Sequence, residues 1–274
     1  AVDLATQDLG LIVESINRKP DQPLKQLTQP QVGLYRSWRP NPDEGWTRLV
    51  LETFGFSYRR LLNEDMRNGN FNDLDVILLP DATYTQILNG LGRRDAPPQY
   101  QGGITQQGVS HLYNFVEAGG ILVTFDSASA LPLRDFDLPI LDISTEYSAN
   151  DYYLPGSLLE ILINSTHPIG YGMPARAPGF FSRSPIFSAV SQSSSDDSLE
   201  PLNNVSIVAR YPETDMLLSG WLVGEKLLAN RPTVVEATLG QGKVVLLGLR
   251  AQHRGQTHGT YKLLFNSLFL KAFL

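Results

Sequence analysis

The sequence predicts an α/β fold whose central sheet is mainly parallel, is flanked by helices, and gains antiparallel strands in the second half of the chain. Three observations support this prediction. Residues 32–35, 75–80 and 121–125 are apolar runs without polar alternation, as in strands buried on both faces of a parallel sheet. Stretches with helical spacing separate these runs, which indicates βαβ crossovers. A glycine-rich turn joins two late apolar runs and indicates an antiparallel hairpin.

The first thirty residues differ from the rest of the chain. They are polar and irregular, and they contain Pro20, Pro23 and Pro30. Their one apolar run, at residues 11–13, predicts a short strand after a brief helix. We expect residues 1–30 to form a lead-in or linker and residues 31–274 to form one domain.

Two helices follow from their end signals. Asn41 stands where an N-cap is expected, Pro42 suits the first helical position, and Gly55 ends the apolar pattern after it. Residues 106–118 have apolar side chains along one helical face and are closed by Gly119 and Gly120. Both segments therefore predict helices that connect neighbouring parallel strands.

The second half of the chain predicts more strands and one closing helix. The turn at residues 240–242 joins the last two strands, and residues 260–273 have the apolar spacing of a helix. Residues 192–197 are all polar and predict a surface loop. The predicted strands of this half are residues 158–163, 184–190, 205–211, 233–239 and 243–249.

Composition excludes several classes of function. The 274 residues carry a net charge of −6, with 42% hydrophobic and 18% charged side chains. Nucleic-acid binding needs a concentrated basic face, so no nucleic-acid partner is expected. No apolar run reaches the ~18 residues that a membrane span needs, so no span is expected. The chain has no cysteine, which excludes disulfides, thiolate metal ligands and cysteine nucleophiles.

Metal chemistry is not expected in this chain. Catalytic zinc is bound by histidines and carboxylates at characteristic spacings, such as HExxH. The four histidines occur in no such motif, and no acidic residue lies between His253 and His258. We therefore predict no metal site and no cofactor here.

One serine and two histidines are candidates for hydrolase chemistry. Ser127 follows the strand predicted at residues 121–125, and His253 and His258 follow the last predicted strand. Open α/β sheets place their sites at the carboxyl ends of such strands. A nucleophile also needs a tight turn, a base and an orienting acid, and this turn lacks the glycines of a GxSxG motif. A small serine hydrolase stays an alternative to structural turn residues.

The same edge of the sheet predicts a polar cleft. Its candidate residues, from the loops after four strands, are Arg36, Trp38, Asp81, Asp126 and Arg250. In one interpretation the arginines pair with the aspartates in a buried network that fixes the loops. In the other, the arginines are bidentate donors to an anion or a peptide carboxylate. A carbohydrate- or peptide-binding module would use the same cleft.

Six segments, in order, resemble one known family. The ordered combination is specific, although each segment alone is weak. The resemblance extends from about residue 32 to the end of the chain. Together the segments resemble the C-terminal domain of large bacterial zinc carboxypeptidases, a domain similar in fold to class I glutamine amidotransferases and flavodoxin-like proteins. The segments are VGLYRSW (32–38), DEGWTR (43–48), FVEAGG (115–120), PGSLL (155–159), HPIGYGMP (167–174) and RAQHRGQTHGT (250–260).

Departures from the family pattern bear on the function that the resemblance implies. Amidotransferases of this class use a cysteine nucleophile on the turn where this chain has Asp126 and Ser127. Their base lies in a His-Pro-Glu-like segment, and here residues 252–254 are Gln-His-Arg. The zinc ligands of the peptidase have no matching positions and are expected upstream, in the peptidase domain.

The resemblance therefore implies an accessory domain without catalysis of its own. Its partner would be the upstream peptidase domain of the same polypeptide, with a peptide or cell-envelope ligand as a further partner. The parent would be a secreted zinc metallocarboxypeptidase, located in the periplasm or outside the cell. The domain would support that enzyme by packing against it or by recognising the ligand.

Overall fold

A ten-stranded sheet organises the computed structural model, which describes residues 17–18, 26–92, 94–189 and 204–274. In chain order the strands are β1 (Val32–Tyr35), β2 (Tyr58–Leu61), β3 (Val76–Leu79), β4 (Ile121–Phe125), β5 (Ile140–Asp142), β6 (Ser157–Ile163), β7 (Arg176–Phe181), β8 (Phe187–Ala189), β9 (Val205–Arg210), β10 (Leu217–Ser219), β11 (Pro232–Leu239) and β12 (Gly242–Leu247). The helices are α1 (Pro42–Thr53), α2 (Asn63–Asn68), α3 (Tyr84–Asn89), α4 (Thr105–Glu117), α5 (Ala130–Asp135), α6 (Glu225–Leu228) and α7 (Tyr261–Leu268).

One half of the sheet is parallel and the other is antiparallel. The strand order is β10-β6-β9-β11-β12-β4-β3-β1-β2, and β7 also pairs with β6. β2, β1, β3, β4 and β12, in this order, pair with one another in parallel. β11, β9, β6, β10 and β7 pair antiparallel, while β5 and β8 form a separate two-stranded sheet. The predicted α/β fold, with its antiparallel additions, is confirmed.

Apolar side chains cover both faces of the parallel half. Every residue of β1, β3 and β4 is buried, as the apolar runs predicted. On one face Leu34 and Val123 belong to the same core cluster as Leu264 of α7. On the other face Tyr35 and Leu122 belong to the cluster that contains the buried side chains of α2, α3 and α4. Because side chains alternate along a strand, continuous apolar runs satisfy both clusters at once.

The predicted helix ends are observed in α1. The Asn41 side chain accepts a hydrogen bond from the Asp43 backbone N–H (2.9 Å), and Pro42 occupies the first helical position. Gly55, with φ of +74°, follows the helix end. This capping fixes where α1 begins, at the carboxyl edge of β1, and thereby places Asp43 at that edge.

Some elements differ from the prediction. The strand predicted at residues 184–190 is shorter and pairs with β5 rather than with the main sheet. The closing helix ends at Leu268 and is followed by a separate 3₁₀ turn, Leu270–Phe273. The strand predicted at residues 11–13 and the loop at 192–197 lie outside the described residues. Among the helices that the structure describes, none has the length and apolarity to cross a bilayer.

Candidate functional site

An ionic cluster joins four segments at the carboxyl edge of the parallel strands. Arg250, after β12, points its guanidinium at three aspartates. Its Nη2 lies 2.7 Å from Asp81 Oδ2, after β3, and its Nε lies 3.0 Å from Asp126 Oδ2, after β4. Its Nη1 lies 3.5 Å from Oδ2 of Asp43, in the first turn of α1. We call these four residues the Arg250 cluster.

Asp126 occupies the sharp turn from β4 into the next helical segment. Its φ is +49°, a strained value for a residue with a side chain. Its side chain is completely buried. Oδ2 accepts hydrogen bonds from Arg250 Nε and from the Ser184 hydroxyl (3.2 Å), whereas Oδ1 has no hydrogen-bond partner among the described residues. In α/β hydrolases a turn of this kind exposes the nucleophile, but here it carries a buried carboxyl group.

Burial dominates the electrostatics of the Arg250 cluster. Burial, followed by the nearby negative charge of Asp81, raises the pKa of Asp126, the Arg250 guanidinium and the Ser184 hydroxyl oppose this, and the resulting pKa is about 8. Burial also raises the pKa of Asp43, again against the effect of Arg250. The pKa of Arg250 is raised, because the three carboxylates outweigh its own burial. At neutral pH the raised pKa favours the protonated form of Asp126.

Asp81 connects this cluster to the backbone on both sides. Its Oδ1 accepts a hydrogen bond from the Ser127 backbone N–H (3.0 Å). Its carbonyl oxygen accepts one from Asn41 Nδ2 (3.0 Å). The loop after β3 is thus tied to the turn after β4 and to the start of α1, which is the expected effect of a structural network.

The two candidate histidines do not form a catalytic pair with Ser127. The His253 ring stacks on Phe180 of β7, with centroids 3.6 Å apart and planes 11° apart. Its Nδ1 is buried and has no hydrogen-bond partner within the described part of the chain. Burial, followed by the charges of Arg250 and Arg254, lowers the pKa of His253 to about 4. His258 stacks instead on Tyr261, with centroids 5.0 Å apart.

Arg36 and Trp38 lie apart from the ionic contacts. The Arg36 backbone N–H donates to the Leu61 carbonyl (2.8 Å), and its guanidinium pairs with no carboxylate of the described residues. Trp38 is 38% exposed and packs against Tyr100, with centroids 4.6 Å apart. The structure therefore brings together Asp81, Asp126 and Arg250 of the five cleft candidates.

Two members of the network were not predicted. Asp43 had a sequence signal, because an acidic residue in the first turn of a helix that follows β1 must lie at the carboxyl edge. Ser184 had none, since it comes from the segment between β7 and β8. In the described residues no three His, Cys, Asp or Glu side chains are grouped so that they could hold a metal ion.

The fold is amidotransferase-like α/β, and solved structures agree at this level. A GMP synthase subunit from Thermoplasma acidophilum is 8% identical, with a TM-score of 0.52, and the match covers 90% of this chain and 96% of that chain. A ThuA-like protein from Bacteroides uniformis is 11% identical, with a TM-score of 0.50 and coverages of 91% and 94%.

A third similar structure is a longer enzyme. The β-galactosidase from Bacillus circulans is 10% identical, with a TM-score of 0.50, and the match covers 88% of this chain but 30% of that chain. No family model matches the sequence, and no curated protein matches it. The comparisons support the amidotransferase-like fold; the relationship to zinc carboxypeptidases stays a prediction.

Proposed function

We propose that this chain is a non-catalytic, amidotransferase-like accessory domain of a secreted bacterial zinc carboxypeptidase, and that it supports the peptidase by packing against it. The observation that supports the proposal is that a buried aspartate, and no exposed nucleophile, occupies the turn after β4. Asp126 occupies that turn, is completely buried, and is held by Arg250 and Ser184. A nucleophile needs exposure to substrate and a base within reach, and Asp126 has no such exposure.

Ser127, next to Asp126, does not replace the missing nucleophile. Its backbone N–H is bonded to Asp81, and its hydroxyl makes no hydrogen bond with any described residue. His253 is engaged in the stack on Phe180, and neither it nor His258 pairs with a carboxylate in the described ranges. A triad needs both contacts, so a serine hydrolase gains no support.

Ligand recognition at Arg250 is less well supported than packing. Its side chain is 22% exposed, and its guanidinium already faces three carboxylates. A peptide carboxylate needs two free parallel N–H donors, and it would also meet the negative charge of Asp81 and Asp43.

An exposed apolar patch supports packing against a second domain. Five large apolar side chains around β6 and β10 are between 36% and 63% exposed. The pairing of β10 with β6 and the hydrogen bond from Trp221 N–H to Ser157 Oγ (2.9 Å) bring these segments together. Apolar patches of this kind mark interaction sites. The Trp221 patch consists of Tyr153, Leu158, Leu217, Leu218 and Trp221.

The occupant that we propose for the Trp221 patch is the peptidase domain of the same polypeptide. The motif resemblance names that domain, and it also suggests a location in the periplasm or outside the cell. The match to less than a third of a β-galactosidase chain supports the idea that this fold serves as one part of a longer enzyme.

The first test is the reading frame that precedes Ala1, where we expect an export signal and a zinc-peptidase motif such as HxxE. The second test uses the full-length protein with Trp221→Ser and Leu218→Ser together, and with Leu141→Ser, at a side chain 51% exposed on β5, as the matched control. We expect the patch variant to melt in two separate steps and the control to melt like wild type. A reading frame without a peptidase would contradict the proposal.

Catalysis by the domain is tested separately. Wild type and Ser127→Ala are compared for hydrolysis of glutamine and of p-nitrophenyl acetate. We expect equal background rates. Turnover that disappears in Ser127→Ala would overturn the non-catalytic role.

A further inference from the structure

A second cleft lies at the opposite, amino-terminal edge of the parallel strands. It is formed between the turn that precedes β3 and the end of α4, and its volume is about 370 Å³. Ligand pockets in proteins commonly measure ~300–1,000 Å³, so the cleft is large enough for one ring-sized ligand. We call it the Phe115 cleft.

Its floor is apolar and fixed. Phe71 and Leu74 are buried, and the rings of Phe71 and Phe115 meet edge to face, with centroids 5.8 Å apart. A Cβ atom at Gly120 would clash with the Phe115 ring, so glycine is what lets this ring lie against the backbone. The aromatic surface is therefore formed before any ligand arrives.

Its rim carries uncharged hydrogen-bonding groups that are free. The side-chain amides of Asn72 and Asn114 make no hydrogen bond with any described residue. His111 approaches the Met66 carbonyl through Nδ1 (3.4 Å), and no partner of its Nε2 lies among the described residues. Each amide offers both donors and an acceptor, which is the complement of a hydroxyl group.

The residues that line the cleft do not favour an anionic ligand. Lys271 is the one lysine that lines it, and its Nζ is bound to Asp75 Oδ1 at 2.7 Å. A phosphate or carboxylate would have to displace this pair. The groups that remain free favour an uncharged ligand.

The residues that line the cleft do not favour a peptide either. The backbone N–H groups of Gly69, Ala118, Gly119 and Gly120 all donate to carbonyls within their own turns. A peptide relies on main-chain partners, and these donors are already used.

From this geometry we infer that the Phe115 cleft binds a neutral, hydroxylated ring, that is, one sugar residue. The ring would rest its apolar face on the partly buried Phe115, which Phe71 supports from below, and bond its hydroxyl groups to the amides of Asn72 and Asn114. The inference does not depend on the accessory role proposed above, because the two sites lie at opposite edges of the sheet.

The experiment is a titration of the ¹⁵N-labelled protein, followed by NMR, with methyl β-glucoside and with N-acetylglucosamine. We expect the amide signals of Gly69, Gly119 and Gly120 to shift with at least one of the two sugars. Asn114→Ala should weaken binding about three- to tenfold, the usual value of one hydrogen bond. The matched control is Gln107→Ala, which removes an exposed amide elsewhere on α4 and should bind like wild type.

Three outcomes overturn the inference. The first is the absence of shifts at the cleft up to the solubility limit of both sugars. The second is equal affinity of Asn114→Ala and wild type, with the fold of both verified by their spectra. The third is a stronger response to triglycine amide or to gluconate than to the sugars, which would indicate a peptide or an anion site.

Discussion

Arg250→Met is the sharpest test of the Arg250 cluster. Methionine keeps much of the alkyl stem of arginine but removes the charge and all the donors. Asp126 and Asp81 then lose their closest cationic partner, at 3.0 and 2.7 Å, although both stay buried or nearly so. We expect the folded state to lose stability for this reason.

The expected loss follows from the burial of the partners. Removing one member of a buried ion pair costs about 3–5 kcal/mol, because the other charge stays buried without compensation. Here that charge is on Asp81, whose side chain is 12% exposed. At about 2–4 °C per kcal/mol for a chain of this size, the melting temperature should fall by about 6–20 °C. Arg36→Ala is the matched control: it removes a guanidinium from the same edge that pairs with no described carboxylate, and it should change stability by about 0.5 kcal/mol or less.

The loss should also depend on pH. The pKa of Asp126 is raised to about 8, so its protonated form contributes stability that is complete below the unfolded pKa and is lost as pH rises towards 8. Without Arg250 the pKa of Asp126 rises further. The difference between Arg250→Met and wild type should therefore be larger at pH 8 than at pH 5, as measured by urea unfolding followed by circular dichroism. An unchanged or raised melting temperature would refute the structural role and favour Arg250 as a ligand-binding residue.

Three further predictions concern Asp126 and two other buried positions. The melting temperature of wild type should fall as pH rises from about 5 to 8, and Asp126→Asn should reduce this fall because the titrating group is gone. The same dependence of melting temperature on pH in both proteins would contradict this. Burial would raise the pKa of Glu236, but hydrogen bonds from His167 and Lys243 lower it, so the stability that Glu236 contributes is lost as pH falls through its folded pKa. Glu236→Gln should therefore weaken the acid sensitivity of the protein. Equal acid unfolding profiles of variant and wild type would argue against this. A Cβ at Gly242 would clash with two backbone carbonyl oxygens, whereas one at Gly259 would meet nothing within 4 Å. Gly242→Ala should therefore lower the free energy of unfolding by about 1–3 kcal/mol, as measured with urea. A loss no greater than that of Gly259→Ala would contradict this.

The parallel half of the fold was predictable because burial on both faces leaves a continuous apolar run. β3 and β4 have such runs and were located to within two residues. β2 has two exposed arginines, Arg59 and Arg60, as suits an edge strand, and so carries no apolar signal. β7 contains Pro178 and Gly179, which normally argue against a strand.

The site was predictable where topology decides position. Asp81, Asp126 and Arg250 follow parallel strands directly, so the shared edge brings them together. Arg36 also follows a parallel strand, but its backbone N–H continues the pairing of β1 with β2, and the ring of the nearby Trp38 packs against Tyr100. The surroundings of His253 could not be predicted, because its ring stacks on a strand that the sequence did not reveal.

The position of β12 has a consequence for how the chain acquires its fold. β12 lies between β4 and β11, in the middle of the sheet, yet it comes from residues 242–247 of a 274-residue chain. While the chain is being synthesised, the edge of β4 stays open until residues 242–247 have emerged from the ribosome. Such an edge is apolar and unpaired, and nascent chains with open edges associate with one another. The domain therefore depends on late, long-range closure, and a chain truncated before residue 242 would keep this edge exposed and aggregate.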